Sequence, residues 1–82
     1  MYEFNLITDK NNVSGTRKSF GFDKHEQIYK MDKYGDTYFL TDDECRLIIK
    51  AGGLDSILKF LKETKYTDKI EVNGILIVNL TV

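Results

Sequence analysis

The sequence predicts an α+β domain in which an antiparallel sheet of five or six strands carries a pair of helices on one face. Three features indicate this class. One stretch near the middle of the chain has helical periodicity, the segments on both sides of it read as strands, and Asn73-Gly74 is a strong signal for a β-hairpin. The chain has 82 residues, which is enough for a single domain spanning residues 1–82.

The composition limits the classes of protein to which the chain can belong. Its formal net charge is −1, so neither a strongly basic nucleic-acid surface nor an acidic mimic of DNA is indicated. The single cysteine excludes an internal disulfide framework. Glu3 and Asn5 interrupt the first apolar run, and no run approaches the roughly 20 residues of a membrane span. We therefore expect a cytoplasmic protein, in the host cytoplasm if a phage encodes it.

The first predicted strand covers residues 2–8. Tyr2, Phe4 and Leu6 alternate with polar residues, which is the pattern of a strand that is buried on one side. Residues 9–12 are a polar cluster typical of a turn.

Residues 13–20 form a weaker second strand because they are polar and include a glycine. We interpret this strand as an exposed edge of the sheet, where Arg17 and Lys18 would discourage pairing with another sheet. Phe20 and Phe22 fall on one face across a glycine, and we expect both to be in the core.

Residues 26–31 and 37–40 are the next two predicted strands. The five residues between them, 32–36, include Gly35 close to their end. A loop of this length with a late glycine is a common hairpin connection.

The helical stretch has a clear beginning. Thr41 is a good N-cap residue, and Glu44 three residues later completes a capping box. Asp42 and Asp43 add negative charge at the positive end of the helix dipole.

The helical stretch divides into two parts whose apolar faces point in nearly opposite directions. The first face consists of Cys45, Ile48 and Ile49. The second consists of Leu54, Ile57, Leu58 and Leu61. Gly52-Gly53 lies between them, and glycine is the usual residue just beyond a helix end. We therefore predict two helices, Thr41–Ala51 and Leu54–Thr64, so that both faces can pack on one sheet.

Residues 69–72 and 75–82 are the last two predicted strands. A two-residue turn at Asn73-Gly74 places Val72 opposite Ile75. The run from Ile75 to Val78 is apolar on both faces, which predicts a central strand covered on both sides. The helical pair would be one cover, and a partner or a second subunit the other.

No arrangement of residues in the sequence indicates catalysis, a metal or a cofactor. The only histidine, His25, has no nucleophile fixed beside it, and we interpret it as a surface-loop residue. Cys45 reads as a small buried apolar residue, since no base is near it in sequence. Asp23, His25 and Glu26 would supply only half of a metal site. We expect the chain not to be an enzyme.

Small size, mixed charge and the lack of a catalytic set favour a protein-binding module, an inhibitor or adaptor that acts on a larger protein. Phage or mobile-element proteins that block a host enzyme or a host defence system have these properties. Exposed aromatic and basic side chains often anchor such interfaces. The residues predicted to contact the partner are Tyr34, Tyr38, Tyr66, Arg17 and Lys18. A homodimer formed through the open face of the last hairpin is a variant of this hypothesis.

The alternative hypothesis is a nucleic-acid-associated protein. It requires folding to bring basic residues together on one face, although the net charge of the chain is close to zero. The residues that would form this face on a hairpin and a helix are Arg17, Lys18, Lys10, Lys59, Lys62 and Lys65.

Overall fold

The computed structural model describes residues 1–8 and 17–82 and has the predicted α+β class. Within these residues, four strands are followed by two helices and two further strands. The strands are β1 (Tyr2–Ile7), β2 (Arg17–Phe22), β3 (Ile28–Met31), β4 (Thr37–Tyr38), β5 (Lys69–Val72) and β6 (Ile75–Asn79). The helices are α1 (Asp42–Lys50) and α2 (Leu54–Glu63).

The six strands form one antiparallel sheet in the order β4-β3-β2-β1-β6-β5. The first four strands are a meander, which leaves β4 at one edge. The helical pair then carries the chain to the opposite edge, where β5 begins. The β5–β6 hairpin returns to pair with β1, so β1 joins the two halves of the sheet.

The core lies between one face of the sheet and the two helices. The ring of Phe4 stacks on those of Phe20 and Phe22, with centroids 5.5 and 5.7 Å away. Ile57 and Leu61 of α2 belong to the same buried cluster. The remaining buried members are Leu6, Ile48, Ala51, Ile75 and Ile77. The prediction that Phe20 and Phe22 are core residues is confirmed.

The predicted capping box at the start of α1 is present. The hydroxyl of Thr41 accepts a hydrogen bond from the backbone N–H of Glu44 at 3.3 Å. Oε1 of Glu44 accepts one from the backbone N–H of Thr41 at 2.8 Å. Both donors would otherwise be unsatisfied at a helix N-terminus.

The apolar face predicted for α1 is wrong in its orientation. Ile48 is buried, but Ile49 is 72% exposed and Cys45 is also exposed, so the reading of Cys45 as a buried residue is incorrect. The buried side of α1 instead includes Glu44 and Ala51. The physical reason is that Glu44 meets two lysines of the sheet, described below, and this polar contact rotates the helix away from the purely apolar arrangement.

The predicted break between the helices is confirmed at Gly52 and Gly53. Their φ angles are 110° and 90°, in the region that favours glycine. The N–H of Gly52 bonds to the carbonyl of Ile49, and that of Gly53 to the carbonyl of Ile48, which is a Schellman motif. The chain is therefore redirected within two residues, and α2 begins at Leu54.

Asn79 of β6 joins the sheet to the end of α2. Its side chain is fully buried, and its amide nitrogen donates to the carbonyl of Leu61 at 3.2 Å and to Oγ1 of Thr64 at 2.9 Å. Its amide oxygen accepts from the N–H of Thr81 at 2.9 Å. A buried side chain with all these groups satisfied fixes the position of α2 on the sheet.

The second strand is not the edge strand that its composition suggested. β2 lies between β1 and β3, and the edge on that side of the sheet is β4. Part of the polar stretch that suggests an edge strand, residues 13–16, lies outside the described residues. The predicted turn at residues 9–12 also lies outside them. β2 is an interior strand because it pairs with β1 on one side and with β3 on the other, and Phe20 and Phe22 place one of its faces in the core.

β6 has the predicted interior position, between β1 and β5, and the predicted turn. Val72 lies opposite Ile75, and the turn residues Asn73 and Gly74 have φ angles of 51° and 80°. Only one face of β6 is covered by the helices, because its odd-numbered residues from Ile75 are buried and the alternate ones are half-buried. The expected second cover is therefore not supplied by the described residues.

Candidate protein-binding surface

The loop between β3 and β4 is held by the side chain of Asp32. Its Oδ1 accepts hydrogen bonds from the N–H groups of Tyr34 and Asp36, at 2.8 and 3.0 Å. Its Oδ2 accepts from the hydroxyl of Tyr38 at 3.1 Å. An aspartate that bonds to backbone groups two and four residues on closes a turn. Asp32 therefore fixes the backbone of Tyr34 and the phenol hydroxyl of Tyr38.

These hydrogen bonds also shift the pKa values of the Asp32 carboxyl and the Tyr38 phenol. Desolvation opposes ionisation of Asp32, but the hydrogen bonds from Tyr34, Asp36 and Tyr38 outweigh it, so the pKa of Asp32 lies below its ordinary value. The hydrogen bond to Asp32 raises the pKa of the Tyr38 phenol, and the negative charge of this carboxylate is a second, smaller cause of the same shift. Tyr38 is therefore a hydrogen-bond donor over the whole physiological pH range.

Two lysines lie over the rings of these tyrosines. Nζ of Lys33 is 5.1 Å from the ring centroid of Tyr34, and Nζ of Lys30 is 6.0 Å from that of Tyr38. Both separations are within the reach of a cation–π attraction. Tyr34 is 78% exposed and Tyr38 50% exposed, so the rings remain accessible to a partner.

Glu44 draws two strand lysines together beside the hairpin. Its Oε1 is 3.2 Å from Nζ of Lys30, and its Oε2 is 3.8 Å from Nζ of Lys18. Burial works against the charge of Glu44, but the hydrogen bonds from Thr41 and Lys30 prevail, and the pKa of Glu44 lies below its ordinary value. The carboxylate is therefore ionised at neutral pH and holds both ammonium groups at one end of the sheet.

Arg17 completes this group of cations. It is exposed at the start of β2, and it lines one shallow concavity together with Lys18, Lys30 and Lys33. Four cations face two carboxylates here, Asp32 and Glu44, so the local charge is positive although the whole chain carries −1. We call this the basic–aromatic surface, and it consists of Arg17, Lys18, Lys30, Lys33, Tyr34 and Tyr38.

An apolar groove adjoins the basic–aromatic surface where the chain leaves β4. The residues that line it are Ile28, Leu40, Cys45, Ile48, Ile49 and Leu54. Phe39, between Tyr38 and Leu40, is 97% exposed, and Leu54 is 43% exposed. An apolar ring that is almost completely in water contributes little to folding, but it offers a large area to a partner.

The structure brings together four of the five residues predicted to contact a partner. Arg17, Lys18, Tyr34 and Tyr38 share the basic–aromatic surface. Tyr66 is 56% exposed but precedes β5, at the other edge and the other end of the sheet.

Among the residues that the structure describes, the lysines of the nucleic-acid hypothesis do not share one face. Lys62 forms an ion pair at 2.7 Å with Glu26, in the loop at the far end of β2 from Arg17. Lys59 and Lys62 line a depression together with three carboxylates, those of Glu26, Asp55 and Glu63. Lys10 lies outside the described residues.

His25 and Cys45 are both exposed, and they lie in different surroundings. The groove that contains Cys45 is lined by apolar side chains only. The N–H of His25 donates to Oδ1 of Asp23, which closes the β2–β3 loop. Among residues 1–8 and 17–82, no group of three or more His, Cys, Asp or Glu side chains could hold a metal ion, and no helix is long and apolar enough to cross a membrane.

The sequence patterns did not indicate three members of this region. Lys30 and Lys33 were not selected because their approach to Lys18 depends on the pairing of β2 with β3. The sequence pattern predicts that Phe39 lies in a strand, but β4 ends one residue before it. The sequence Tyr38-Phe39-Leu40 is the feature that indicates an exposed ring here. Side chains of a strand alternate between its two faces, so three consecutive large residues cannot all be buried on one face.

No protein-family model, curated protein or solved structure matches the chain. The geometry of the chain itself is therefore the basis on which a function can be assigned.

Proposed function

We propose that the chain is a small non-enzymatic protein-binding module, an inhibitor or adaptor that acts by occupying the surface of a larger protein. The observation that carries this proposal is Phe39, which is 97% exposed. The next residue in the chain, Leu40, lines a groove formed only by apolar side chains. Large exposed apolar areas on a small domain mark interaction sites. A phage or mobile-element protein that blocks a host enzyme or a host defence system is one example of such a module.

The arrangement matches the usual anatomy of a protein interface. Phe39 and the apolar groove would form its centre, and the basic–aromatic surface its rim. Tyrosine, phenylalanine and arginine are enriched at protein interfaces, and charged groups are concentrated at the rim. A standard interface buries about 800 Å² on each partner. The described residues expose 5553 Å², so an interface of that size occupies a minor part of the surface.

The charge of the rim indicates the chemistry of the partner. The concavity has two more cations than carboxylates, and complementary potentials accelerate association and align the partners. The proposed partner is a protein with an apolar protrusion flanked by carboxylates. The apolar side chain would enter the apolar groove, Phe39 would add a further apolar contact, and the carboxylates would face Arg17 and Lys33.

The test uses the chain immobilised through a tag at its exposed C-terminal residue, Val82. A nuclease-treated lysate of the source organism is passed over the wild type and the Phe39→Ala and Tyr66→Ala variants. Both substitutions remove an exposed ring, so neither should change folding, and circular dichroism checks this. We expect one protein to be retained by the wild type and by Tyr66→Ala, and retention by Phe39→Ala to fall about tenfold or more.

Two results would overturn the proposal. The first is retention of the same proteins in equal amounts by the wild type and Phe39→Ala. The second is binding of DNA or RNA at low salt that is lost in Lys33→Glu, with no protein retained after nuclease treatment. Phosphate contacts are strongest at low salt, so this second result would assign the basic–aromatic surface to nucleic acid.

A further inference from the structure

β3 extends further than the edge strand that pairs with it. β3 begins at Ile28, whereas β4, which runs antiparallel to it, ends at Tyr38 opposite Lys30. The residue that would continue the ladder opposite Ile28 is Leu40, but no backbone hydrogen bond among the described residues joins these two. The sheet therefore has a gap beside the beginning of β3.

The backbone of Ile28 faces this gap. In antiparallel pairs, residues that exchange hydrogen bonds alternate with residues that do not. The N–H of Asp23 bonds to the carbonyl of Gln27, so the next residue of β3 that bonds to β2 is Tyr29. Ile28 lies between these two residues, and its N–H and C=O consequently point away from β2 and into the gap.

The gap opens into a concavity of about 660 Å³. Its walls include Tyr29, Thr37 and Phe39. The ring of Tyr29 lies against Gly21 of β2, where the lack of a side chain leaves room for it, and the ring is thereby held towards β2. Ile28 lines both this concavity and the apolar groove, so the two depressions meet at the residue whose backbone is unpaired.

The charge changes sign along this gap. Beyond Ile28 the concavity is lined by Asp23, whose Oδ1 accepts from the N–H groups of His25 and Gln27 at 2.8 and 3.0 Å. The hydrogen bond from Gln27 is the main cause that lowers the pKa of Asp23, so this carboxylate is ionised at neutral pH. At the other end, Nζ of Lys30 lies over the ring of Tyr38, which also lines the concavity.

We propose that the gap accepts a short extended segment of the partner protein, which pairs antiparallel with β3 through the N–H and C=O of Ile28. Addition of a strand to an open sheet edge is a common mode of peptide recognition. Opposite residues of an antiparallel pair have their side chains on the same face. The segment's residue opposite Ile28 is therefore apolar and enters the apolar groove, and a basic residue two positions later faces Asp23. This inference rests on the proposed function and specifies the form of the partner's binding segment.

The probe is the tetrapeptide Thr-Leu-Thr-Lys, acetylated at its N-terminus and amidated at its C-terminus. The control is the same peptide with a methyl group on the leucine nitrogen, which removes the donor to the carbonyl of Ile28 and leaves the side chains unchanged. NMR titration of the isotope-labelled chain measures both affinities. We expect a Kd of about 1 mM for the probe and about tenfold weaker binding of the methylated peptide.

Asp23→Asn tests the charge at the end of the gap. The amide oxygen of asparagine can still accept the two backbone hydrogen bonds that close the β2–β3 loop. The substitution should therefore weaken binding of the probe about threefold through the lost ion pair alone.

Amide hydrogen exchange tests the pairing at the residue itself. In the free chain, the N–H of Ile28 should exchange faster than that of Tyr29, which bonds to β2. The probe at about 5 mM, about five times its expected Kd, should slow exchange at Ile28 about fivefold. Exchange at Tyr29 should change little, so this residue is the internal control.

Three results would overturn the inference: equal exchange at Ile28 and Tyr29 in the free chain, no change at Ile28 with the probe present, or equal affinity of the two peptides. If a partner is retained by the wild type and lost in Phe39→Ala while the probe fails to bind, the proposed function stands and strand addition is refuted. If no protein is retained, the proposed function fails, and this inference fails with it.

Discussion

Glu44 determines how α1 lies on the sheet. Its role in the capping box follows from Thr41 three residues earlier, and this local pattern is visible in the sequence. Its ion pairs with Lys18 and Lys30 are not visible, because they depend on two strands that are distant from it in the chain. The predicted apolar face, with Cys45 and Ile49 inward, was wrong for this reason.

Replacing Glu44 by glutamine should destabilise the protein in a pH-dependent way. The pKa of Glu44 in the folded state is below its ordinary value of 4.5, so ionised Glu44 contributes stability above about pH 4.5. That contribution is lost as the pH falls through the lowered folded-state pKa. Glu44→Gln should lower the free energy of unfolding by about 1–2 kcal/mol at pH 7 and by progressively less below pH 4.5. Urea unfolding at several pH values measures both quantities.

Glu63→Gln is the control for this prediction, because Glu63 is exposed at the end of α2. The free energy of unfolding of Glu63→Gln should stay within about 0.5 kcal/mol of that of the wild type. An equal loss of stability at pH 7 and pH 3 in Glu44→Gln would show that the charge of Glu44 is unimportant.

The acidity of Tyr38 reports whether the β3–β4 loop is ordered in solution. Because its hydroxyl donates to Asp32, the pKa of Tyr38 is raised above its ordinary value of 10.0. In Asp32→Asn the negative charge is absent, so the pKa of Tyr38 should fall towards 10.0 and the phenol should titrate at lower pH. NMR titration of the tyrosine ring carbons measures this shift. An identical titration curve in both proteins would mean that the bond does not form in solution.

At the scale of elements, the turns were easier to predict than the neighbours of each strand. Asn73-Gly74 and Gly52-Gly53 act through their own backbone conformation, so the sequence locates both the last hairpin and the helix break. The position of β2 depends on which strands cover its two edges, and its polar start suggested an edge strand. Its interior position becomes evident only when β3 pairs beside it.

The two-helix arrangement predicts that Gly52 and Gly53 cannot both be replaced by alanine without loss. Gly53 has φ 90° and ψ 165°, a region that is accessible almost only to glycine, and Gly52 has φ 110°. Gly52→Ala, Gly53→Ala should lower the free energy of unfolding by about 2 kcal/mol or more. Thermal and urea unfolding measure the loss, with Lys59→Ala on the exposed side of α2 as a near-neutral control. A double variant as stable as the wild type would contradict the break between α1 and α2.

At the scale of the whole molecule, the sequence predicts the class of fold and the sheet with its helical pair, but not the strand order. The order β4-β3-β2-β1-β6-β5 depends on the helical pair crossing from one edge of the sheet to the other, which no local pattern encodes. For the candidate site, residue type alone selected Tyr34, Tyr38, Arg17 and Lys18. Phe39 was missed because the pattern extended β4 beyond its actual end.

The most direct test of the central claim is the affinity of the retained partner protein for the chain, measured by isothermal titration calorimetry with the wild type, Phe39→Ala, Lys33→Glu and Tyr66→Ala. We predict that Phe39→Ala binds about tenfold more weakly or worse, that Lys33→Glu binds more weakly with a smaller dependence on salt, and that Tyr66→Ala binds like the wild type. Wild-type affinity in both Phe39→Ala and Lys33→Glu would contradict the assignment of this surface to protein binding.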